Sequence, residues 1–256
     1  METISHHNRQ TAYKSLKRDT PSKKILCVHG SGGQHRIWKA QLGRLSSEYE
    51  IIAVDLSGHG GSDDINTEPG SETLQAYIND IKAVWKIDRP AVLMGNSLGG
   101  AVILQAVIDG TIHSEAIILA GSGAKLGVPG HLRTLLEEDF ETAVDYLHSD
   151  NNLFYDESHP AVAVSKQAMH ATGQQVTQRD FLTCHTFDVR DELNESMPPL
   201  LALTGEYDEL TPPRFHDYLA NETGGSSTTI ANAAHLSMLE QPNAFNRAIK
   251  SFLQAI

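Results

Sequence analysis

The residues that first suggest chemistry lie in the stretch GNSLGG, from Gly95 to Gly100. The apolar runs on either side predict a buried strand from Ala91 to Met94 and a helix from Ala101 to Ile108. A G-x-S-x-G string at a sharp turn between a strand and a helix exposes the serine hydroxyl as a nucleophile. Such a string also arises by chance in about one chain in ten of this length, as an ordinary loop. The flanking pattern favours Ser97 as a nucleophile.

A serine nucleophile needs a histidine to accept its proton and a carboxylate to fix the tautomer of that histidine. In an open parallel sheet, reactive groups lie just beyond the carboxyl ends of the strands. Asp208 follows the strand-like run Leu200–Thr204, and His235 follows the weaker run Thr228–Ala231. The order serine, acid, histidine is the one that a nucleophile elbow requires. The sequence therefore predicts Ser97, Asp208 and His235 as a catalytic triad, with a surface charge in an acidic loop as the alternative for Asp208.

Acyl transfer also needs backbone N–H donors that stabilise a developing oxyanion. The stretch ILCVHGSGGQ places a glycine-rich loop directly after the strand-like run Ile25–Val28. Leu98 would begin the helix after Ser97, where N–H groups lack partners and the helix dipole favours negative charge. The sequence predicts the backbone N–H groups of Ser31 and Leu98 as the oxyanion hole.

Short apolar runs alternate with helical patterns and would position these residues. Continuous apolar runs suit parallel strands covered on both faces, so the alternation predicts an α/β fold with a mostly parallel, doubly wound sheet. A weak signal predicts an antiparallel hairpin between Ile4 and Leu16 at one edge. Apolar residues from Leu74 to Trp85 predict a helix capped by Thr73, and Pro242 suits the first turn of a closing helix. The remaining strand-like runs are Ile51–Val54 and Ala116–Ala120.

The interval from Gly121 to Pro199 contains no strand-like run, and it is too long for one crossover helix. Apolar stripes at Leu132–Leu147, Ala161–Ala171 and Thr177–Leu193 indicate an inserted helical segment. We therefore predict a core in two parts, residues 1–122 and 196–256, and a helical cap insertion at residues 123–195.

Composition excludes several classes of function. The 256 residues carry a net charge of -12, which argues against nucleic acid or an anionic membrane as a partner. No apolar stretch has the length of a membrane span, and the first residues lack the apolar core of a secretion signal, so we expect a cytoplasmic protein. Cys27 and Cys184 are expected to be separate reduced thiols. No His or Cys spacing typical of a metal site is present in the sequence.

Five motifs follow one another along the chain: His29-Gly30, DLSGHGGSD (Asp55–Asp63), GNSLGG, TGEYDELTP (Thr204–Pro212) and AAHLSMLEQP (Ala233–Pro242). Together and in this order, they resemble the α/β-hydrolase superfamily, in particular its small carboxylesterases. The resemblance runs from about Ile25 to the C-terminus and implies the same triad, a cap that shapes the substrate pocket, and neither a metal nor an organic cofactor. It implies a serine hydrolase that cleaves small-molecule carboxylic esters, with small to medium acyl or alcohol groups, through an acyl-enzyme on Ser97.

Two departures from the commonest pattern keep alternatives open. Asn96 stands where many esterases of this superfamily carry histidine, and Gly-Asn-Ser followed by Gly-Gly is frequent in hydrolases of aromatic ring-cleavage products. Hydrolysis of a C–C bond in ring-cleavage diketones and lactone opening are therefore alternatives. Leu236 follows His235 where those C–C hydrolases usually carry tryptophan, which favours esters. A ligand receptor on a hydrolase scaffold is the non-enzymatic alternative. The sequence does not indicate the oligomeric state.

Overall fold

The computed structural model describes residues 1–17, 23–149 and 151–256. Within these ranges eight strands form one sheet, in the order β1-β2-β4-β3-β5-β6-β7-β8. β2 runs antiparallel to β1 and β4, and the other neighbours are parallel, which confirms the predicted α/β fold with a mostly parallel, doubly wound sheet. The strands are β1 (Glu2–His6), β2 (Arg9–Leu16), β3 (Lys24–Val28), β4 (Glu50–Val54), β5 (Val92–Asn96), β6 (Ala116–Ala120), β7 (Leu200–Gly205) and β8 (Ser226–Ile230).

The predicted edge hairpin is present as β1 and β2. Its two-residue turn consists of His7 and Asn8, both with left-handed backbone at φ 45° and 60°. Two left-handed residues are what the tight turn of a twisted hairpin requires, and asparagine tolerates that conformation well. The other edge strand, β8, begins at Ser226, two residues before the predicted run, because its exposed polar residues carry no apolar signal.

Helices connect the parallel strands. α2 begins at Ser71 with Gly70 as its N-cap, so the prediction of Thr73 as the cap was wrong. The Thr73 hydroxyl lies in the first turn and donates to the Glu68 carbonyl oxygen at 2.7 Å. The closing helix begins at Pro242, as predicted. The helices are α1 (Lys39–Leu45), α2 (Ser71–Asp88), α3 (Leu98–Ile108), α4 (Gly130–Glu138), α5 (Phe140–Leu147), α6 (Ala161–Thr172), α7 (Gln174–Thr186), α8 (Pro213–Thr223), α9 (Ser237–Glu240) and α10 (Pro242–Ala255).

Four of these helices, α4 to α7, lie between β6 and β7 and form the inserted segment. The stripe predicted as one helix from Leu132 to Leu147 is two helices, because Asp139 ends α4 and its carboxylate caps α5 by accepting from Thr142 N at 3.1 Å. The last stripe also ends early, at Thr186. The division of the chain into units at residues 123 and 195 stays a prediction.

The inner strands of the sheet are the most deeply buried. Every residue of β4, β5, β6 and β7 is buried, as expected for parallel strands that are covered on both faces. Because β3, β5, β7 and β8 run parallel, their carboxyl ends lie at one edge of the sheet, where the loops after them can share a site.

Two further sequence expectations concern the whole molecule. Both cysteines are buried free thiols, Cys27 in β3 and Cys184 in α7, which confirms the expectation of separate thiols. In the part of the chain that the structure describes, we find no helix with the length and apolar character needed to span a membrane.

Candidate active site

Ser97 lies at the turn between β5 and α3. Its backbone has φ 51° and ψ -117°, a conformation that is uncommon for any residue other than glycine. Ser97 N donates to the Ala120 carbonyl at 3.0 Å, and the Ser97 carbonyl accepts from the Ser122 hydroxyl at 2.9 Å. The surrounding hydrogen bonds therefore hold a strained turn with the serine at its tip.

Close packing explains the glycines around the serine. A Cβ on Gly95 would lie 2.5 Å from the backbone of Gly99, and a Cβ on Gly99 would lie 2.4 Å from the Val28 carbonyl oxygen. A Cβ on Gly30 would approach the Ser97 Cβ to 3.1 Å. The glycines let β5, α3 and the loop after β3 approach one another, which brings the loop with Ser31 beside the serine.

Asp208 and His235 form a buried pair. Asp208 Oδ2 lies 3.0 Å from His235 Nδ1, and the two residues are 2% and 3% exposed. A carboxylate only accepts hydrogen bonds, so Nδ1 carries a proton and Nε2 of a neutral ring is free to accept another. His235 and Ser97 line the same cavity, although no hydrogen bond joins these two described residues.

The Asp208 carboxylate is held by its own loop. Oδ1 accepts from the backbone N–H groups of Leu210 and Thr211 at 3.0 and 2.8 Å, and Oδ2 accepts from the Thr211 hydroxyl at 2.8 Å. The Thr211 hydroxyl also lies 3.2 Å from His235 Nδ1. These bonds fix the carboxylate in the orientation that it needs to hold the imidazole.

The two predicted oxyanion donors differ in exposure. Ser31 lines the cavity, while Leu98 is fully buried at the first position of α3. Within the described ranges, neither backbone N–H has an acceptor. The glycine contacts described above bring the loops of these two donors together.

Asp180 of α7 ties the inserted segment to the loop that contains Ser31. Its buried carboxylate accepts from Gly32 N at 2.9 Å, from the Tyr77 hydroxyl at 2.6 Å and from His59 Nε2 at 2.9 Å. Burial alone would raise the pKa of Asp180, but His59 and the other donors outweigh burial and lower it. Sequence reasoning missed Asp180, since an acidic residue in a helix usually signals a surface position.

Two neighbouring buried histidines have pKa values that are shifted in opposite directions. His59 faces only acceptors, the Ser57 carbonyl at Nδ1 and Asp180 at Nε2; burial lowers its pKa, but the Asp180 charge outweighs burial and raises it. His29 faces the Gly30 carbonyl at Nδ1 and accepts from Leu56 N at Nε2, and burial lowers its pKa to about 4. Through these hydrogen bonds, His59 and His29 support the loops around Ser31 structurally.

Glu240 of α9 is a second residue that sequence reasoning missed. Its carboxylate accepts from Ala234 N at 2.7 Å, and from the backbone N–H groups of Tyr155 and Asp156 at 2.9 and 3.1 Å. Burial raises its pKa, while these backbone donors oppose the rise. Glu240 therefore joins the loop that carries His235 to the inserted segment.

A cavity of about 700 Å³ lies between the sheet edge and the inserted segment. Ser97, Ser31 and His235 line it, together with apolar side chains that include Met169 and Phe181. Most of the lining surface is apolar, and the residues with a full charge among the described lining residues are basic: Lys14, Arg36 and Lys39. The cavity therefore suits an apolar substrate body that reaches a nucleophile at one end.

No group of three or more His, Cys, Asp or Glu that could hold a metal ion occurs within residues 1–17, 23–149 and 151–256. The carboxylate of Asp55 accepts from His35 N at 2.7 Å and from Gly61 N at 3.1 Å. Its carboxylate thus holds two loops together and does not line the cavity that contains Ser97.

Comparisons with known proteins place this geometry in context. The model of a family described as "Alpha/beta hydrolase family" matches residues 25–248. Among curated proteins, the pimeloyl-[acyl-carrier protein] methyl ester esterase of Pectobacterium atrosepticum is 26% identical, over 90% of this chain and 94% of that protein. The 3-oxoadipate enol-lactonase 1 of Acinetobacter baylyi is 23% identical, over 100% of this chain and 98% of that protein.

A solved structure titled "Structure of a thermophilic esterase" superposes with a TM-score of 0.85 at 26% identity. The match covers 99% of this chain and 97% of that one. The likeness extends over the whole sheet and the inserted segment.

Proposed function

The chain belongs to the alpha/beta hydrolase family, and from that premise we propose that it is a serine hydrolase that cleaves carboxylic esters of small to medium acyl or alcohol groups. The observation that carries the proposal is the buried pair of Asp208 and His235, 3.0 Å apart, whose histidine lines the same cavity as Ser97 on its strained turn. A nucleophile, a base oriented by a carboxylate and free N–H donors are the parts that acyl transfer needs.

In the proposed reaction, the ester carbonyl oxygen lies against the backbone N–H groups of Ser31 and Leu98. Ser97 Oγ attacks the carbonyl carbon while His235 Nε2 takes its proton, and Asp208 stabilises the imidazolium that results. His235 then gives this proton to the leaving alcohol, which leaves an acyl-enzyme on Ser97. Water attacks the acyl-enzyme with His235 again as the base. Each oxyanion donor contributes about 3 kcal/mol of transition-state stabilisation in such sites.

Lactone opening is a second candidate, since the relative from Acinetobacter baylyi is named an enol-lactonase. The chemistry is the same, except that the leaving alcohol stays attached to the acyl group. Asn96 and Leu236, which neighbour Ser97 and His235, bear on the alternative of C–C bond hydrolysis. Leu236 favours ester substrates over that alternative.

The test is hydrolysis of p-nitrophenyl esters from acetate to dodecanoate by the wild type and by Ser97→Ala. We expect the wild type to hydrolyse these esters and Ser97→Ala to keep its fold but lose the activity. The acyl chain that is hydrolysed fastest indicates the length of the pocket. A pH-stat assay of simple lactones tests the second candidate. Equal inertness of both proteins toward all esters would refute ester hydrolysis, and substantial hydrolysis by purified Ser97→Ala would refute the nucleophile.

A further inference from the structure

The inserted segment contributes two polar side chains to its side of the cavity. Ser165 and His159 line the cavity among apolar neighbours such as Val164 and Met169, and they are the polar residues among the described ones that this segment contributes to the lining. Neither takes part in the proposed mechanism. What they offer a ligand depends on which of their atoms carry hydrogens.

A buried histidine fixes the hydroxyl of Ser165. His148 Nδ1 lies 2.7 Å from the Val144 carbonyl oxygen, which only accepts, so Nδ1 carries a proton. His148 Nε2 lies 2.9 Å from Ser165 Oγ. His148 is 3% exposed and stacks on Phe154, and burial lowers its pKa to about 4, so the ring is neutral at pH 7. Nε2 must then accept, and Ser165 donates to it, which leaves Ser165 Oγ with only lone pairs for a ligand.

The tautomer of His159 is fixed in the opposite sense. Ala161 N donates to His159 Nδ1 at 3.2 Å, so the ring proton resides on Nε2. The His159 ring also stacks on Phe154, with centroids 6.2 Å apart. In the part of the chain that the structure describes, Nε2 has no hydrogen-bond partner, so it can donate to a ligand.

We propose that Ser165 and His159 form a polar subsite for a substrate group that donates a hydrogen bond to Ser165 Oγ and accepts one from His159 Nε2. A hydroxyl or a secondary amide does both. An ether oxygen only accepts, and an alkyl chain does neither. The substrate class is thus an ester whose acyl or alcohol part carries a hydroxyl or an amide beneath the inserted segment. This inference deepens the proposed function, on which its kinetic test rests.

The first test compares esters of equal length. The probes are p-nitrophenyl octanoate and analogues in which a secondary amide replaces two methylenes, a hydroxyl is added, or an ether oxygen replaces one methylene, at successive positions. We expect kcat/KM of the best-placed amide or hydroxyl ester to exceed that of octanoate about 10-fold, as one added hydrogen bond allows. The ether esters should gain less than the amide and hydroxyl esters, because an ether oxygen can accept from His159 Nε2 but offers Ser165 Oγ no proton.

Variants of the serine assign the effect to this subsite. Ser165→Ala should lower the ratio of kcat/KM for the amide ester to that for octanoate about 10-fold, and Ser165→Thr should restore much of the ratio. Ser158→Ala removes an exposed serine hydroxyl of the same segment outside the cavity lining, and it should keep the wild-type ratio.

Replacing His148 should change Ser165 from a hydrogen-bond acceptor for the ligand into a donor. His148→Phe keeps an aromatic ring on Phe154 but removes the acceptor that orients Ser165. The Ser165 hydroxyl can then donate to a ligand, so the ether esters should gain relative to octanoate. Thermal unfolding checks that the variant folds, and if it does not, the Ser165 variants alone decide.

A binding measurement separates this inference from the proposed function. Calorimetry on Ser97→Ala gives the Kd of each intact ester without turnover. If the wild type hydrolyses no ester, the proposed function fails, while the ratio of Kd values still tests the subsite. Equal affinity for the amide and ether esters, or an amide advantage that Ser165→Ala leaves undiminished, would overturn the inference.

Discussion

The carboxylate of Asp180 accepts a hydrogen bond from the backbone N–H of Gly32 at 2.9 Å, although the two residues lie 148 positions apart in the chain. Gly32 follows Ser31, whose N–H is a proposed oxyanion donor. A helix of the inserted segment therefore fixes the backbone on which the proposed transition state depends. The inserted segment is thus part of the support of the site as well as one wall of the cavity.

Asp180→Ala should lower both stability and activity. It leaves the donors of Gly32, His59 and Tyr77 buried without an acceptor, which costs about 3 kcal/mol in the free energy of unfolding. The Ser31 N–H should also lose its position, which lowers kcat for esters. Asp180→Asn keeps one acceptor oxygen and should recover part of both. Asp188→Ala, which removes two ion pairs at an exposed position just after α7, is the control. An unchanged kcat in Asp180→Ala would contradict the positioning role.

Asp208→Asn should reduce kcat about 10⁴-fold with a small change in KM, because an amide can hold His235 in the wrong tautomer. The Leu210 and Thr211 N–H groups can still bind the remaining oxygen, so the fold should survive. Steady-state kinetics on the best p-nitrophenyl ester gives the ratio. Asp217→Asn makes the same charge change at an exposed position. A kcat in Asp208→Asn within 10-fold of the wild type would remove Asp208 from the proposed triad.

Ser97→Gly should be more stable than Ser97→Ala by about 1 kcal/mol. A backbone at φ 51° costs a residue with a Cβ roughly 1–3 kcal/mol, and glycine avoids that cost. In ordinary helix or strand positions alanine is the more stable of the two. Urea unfolding of both inactive variants measures the difference. An alanine variant at least as stable as the glycine variant would mean that the turn stores no strain.

The sequence points to the three proposed triad residues because each of them follows an apolar run. The runs before Ser97 and Asp208 are strands β5 and β7, and parallel strands bring their carboxyl ends to one edge. His235 was placed by the same argument, even though β8 begins two residues earlier than its weak signal suggests. Apolar runs in the sequence were therefore enough to predict the strands that precede these three residues.

Asp180 and Glu240 could not be found in this way. Their partners, Gly32 for one and Tyr155 for the other, are 148 and 85 positions away, so no local pattern marks the contact. Each carboxylate also binds backbone N–H groups, which every residue type except proline offers. A signal does exist for Asp180, since Val176 and Cys184 lie four residues to either side and share its buried face.

Gly99→Ala should destabilise the protein by about 2 kcal/mol, because the new Cβ would lie 2.4 Å from the Val28 carbonyl oxygen. Gly43→Ala is the matched control. Gly43 lies within α1, and a Cβ there would meet nothing within 4 Å, so alanine should stabilise the helix by about 1 kcal/mol. Urea unfolding of both variants gives the comparison. Equal effects of the two substitutions would show that the close approach of α3 and β3 is not required.

The stability of the protein should fall as pH drops from 6.5 toward 4. Burial lowers the pKa of each of His29, His148 and His216 to about 4, so the unfolded chain binds protons in this range that the folded chain does not. Stability therefore rises with pH through this window, and each histidine costs about 1 kcal/mol at pH 5.5 relative to pH 7. The raised pKa of His59 acts at higher pH, where its contribution is lost as the ring deprotonates.

His216→Gln isolates one of these contributions. His216 Nε2 accepts from Ser122 N at 3.1 Å, and the glutamine carbonyl can accept the same bond without titrating. Urea unfolding at pH 7 and pH 5.5 should therefore show a loss of stability that is about 1 kcal/mol smaller than in the wild type. His113→Gln removes an exposed histidine and should leave the wild-type loss unchanged. A wild type that is equally stable at both pH values, or a His216→Gln protein that loses as much as the wild type, would mean that His216 takes up its proton in the folded state as readily as in the unfolded chain.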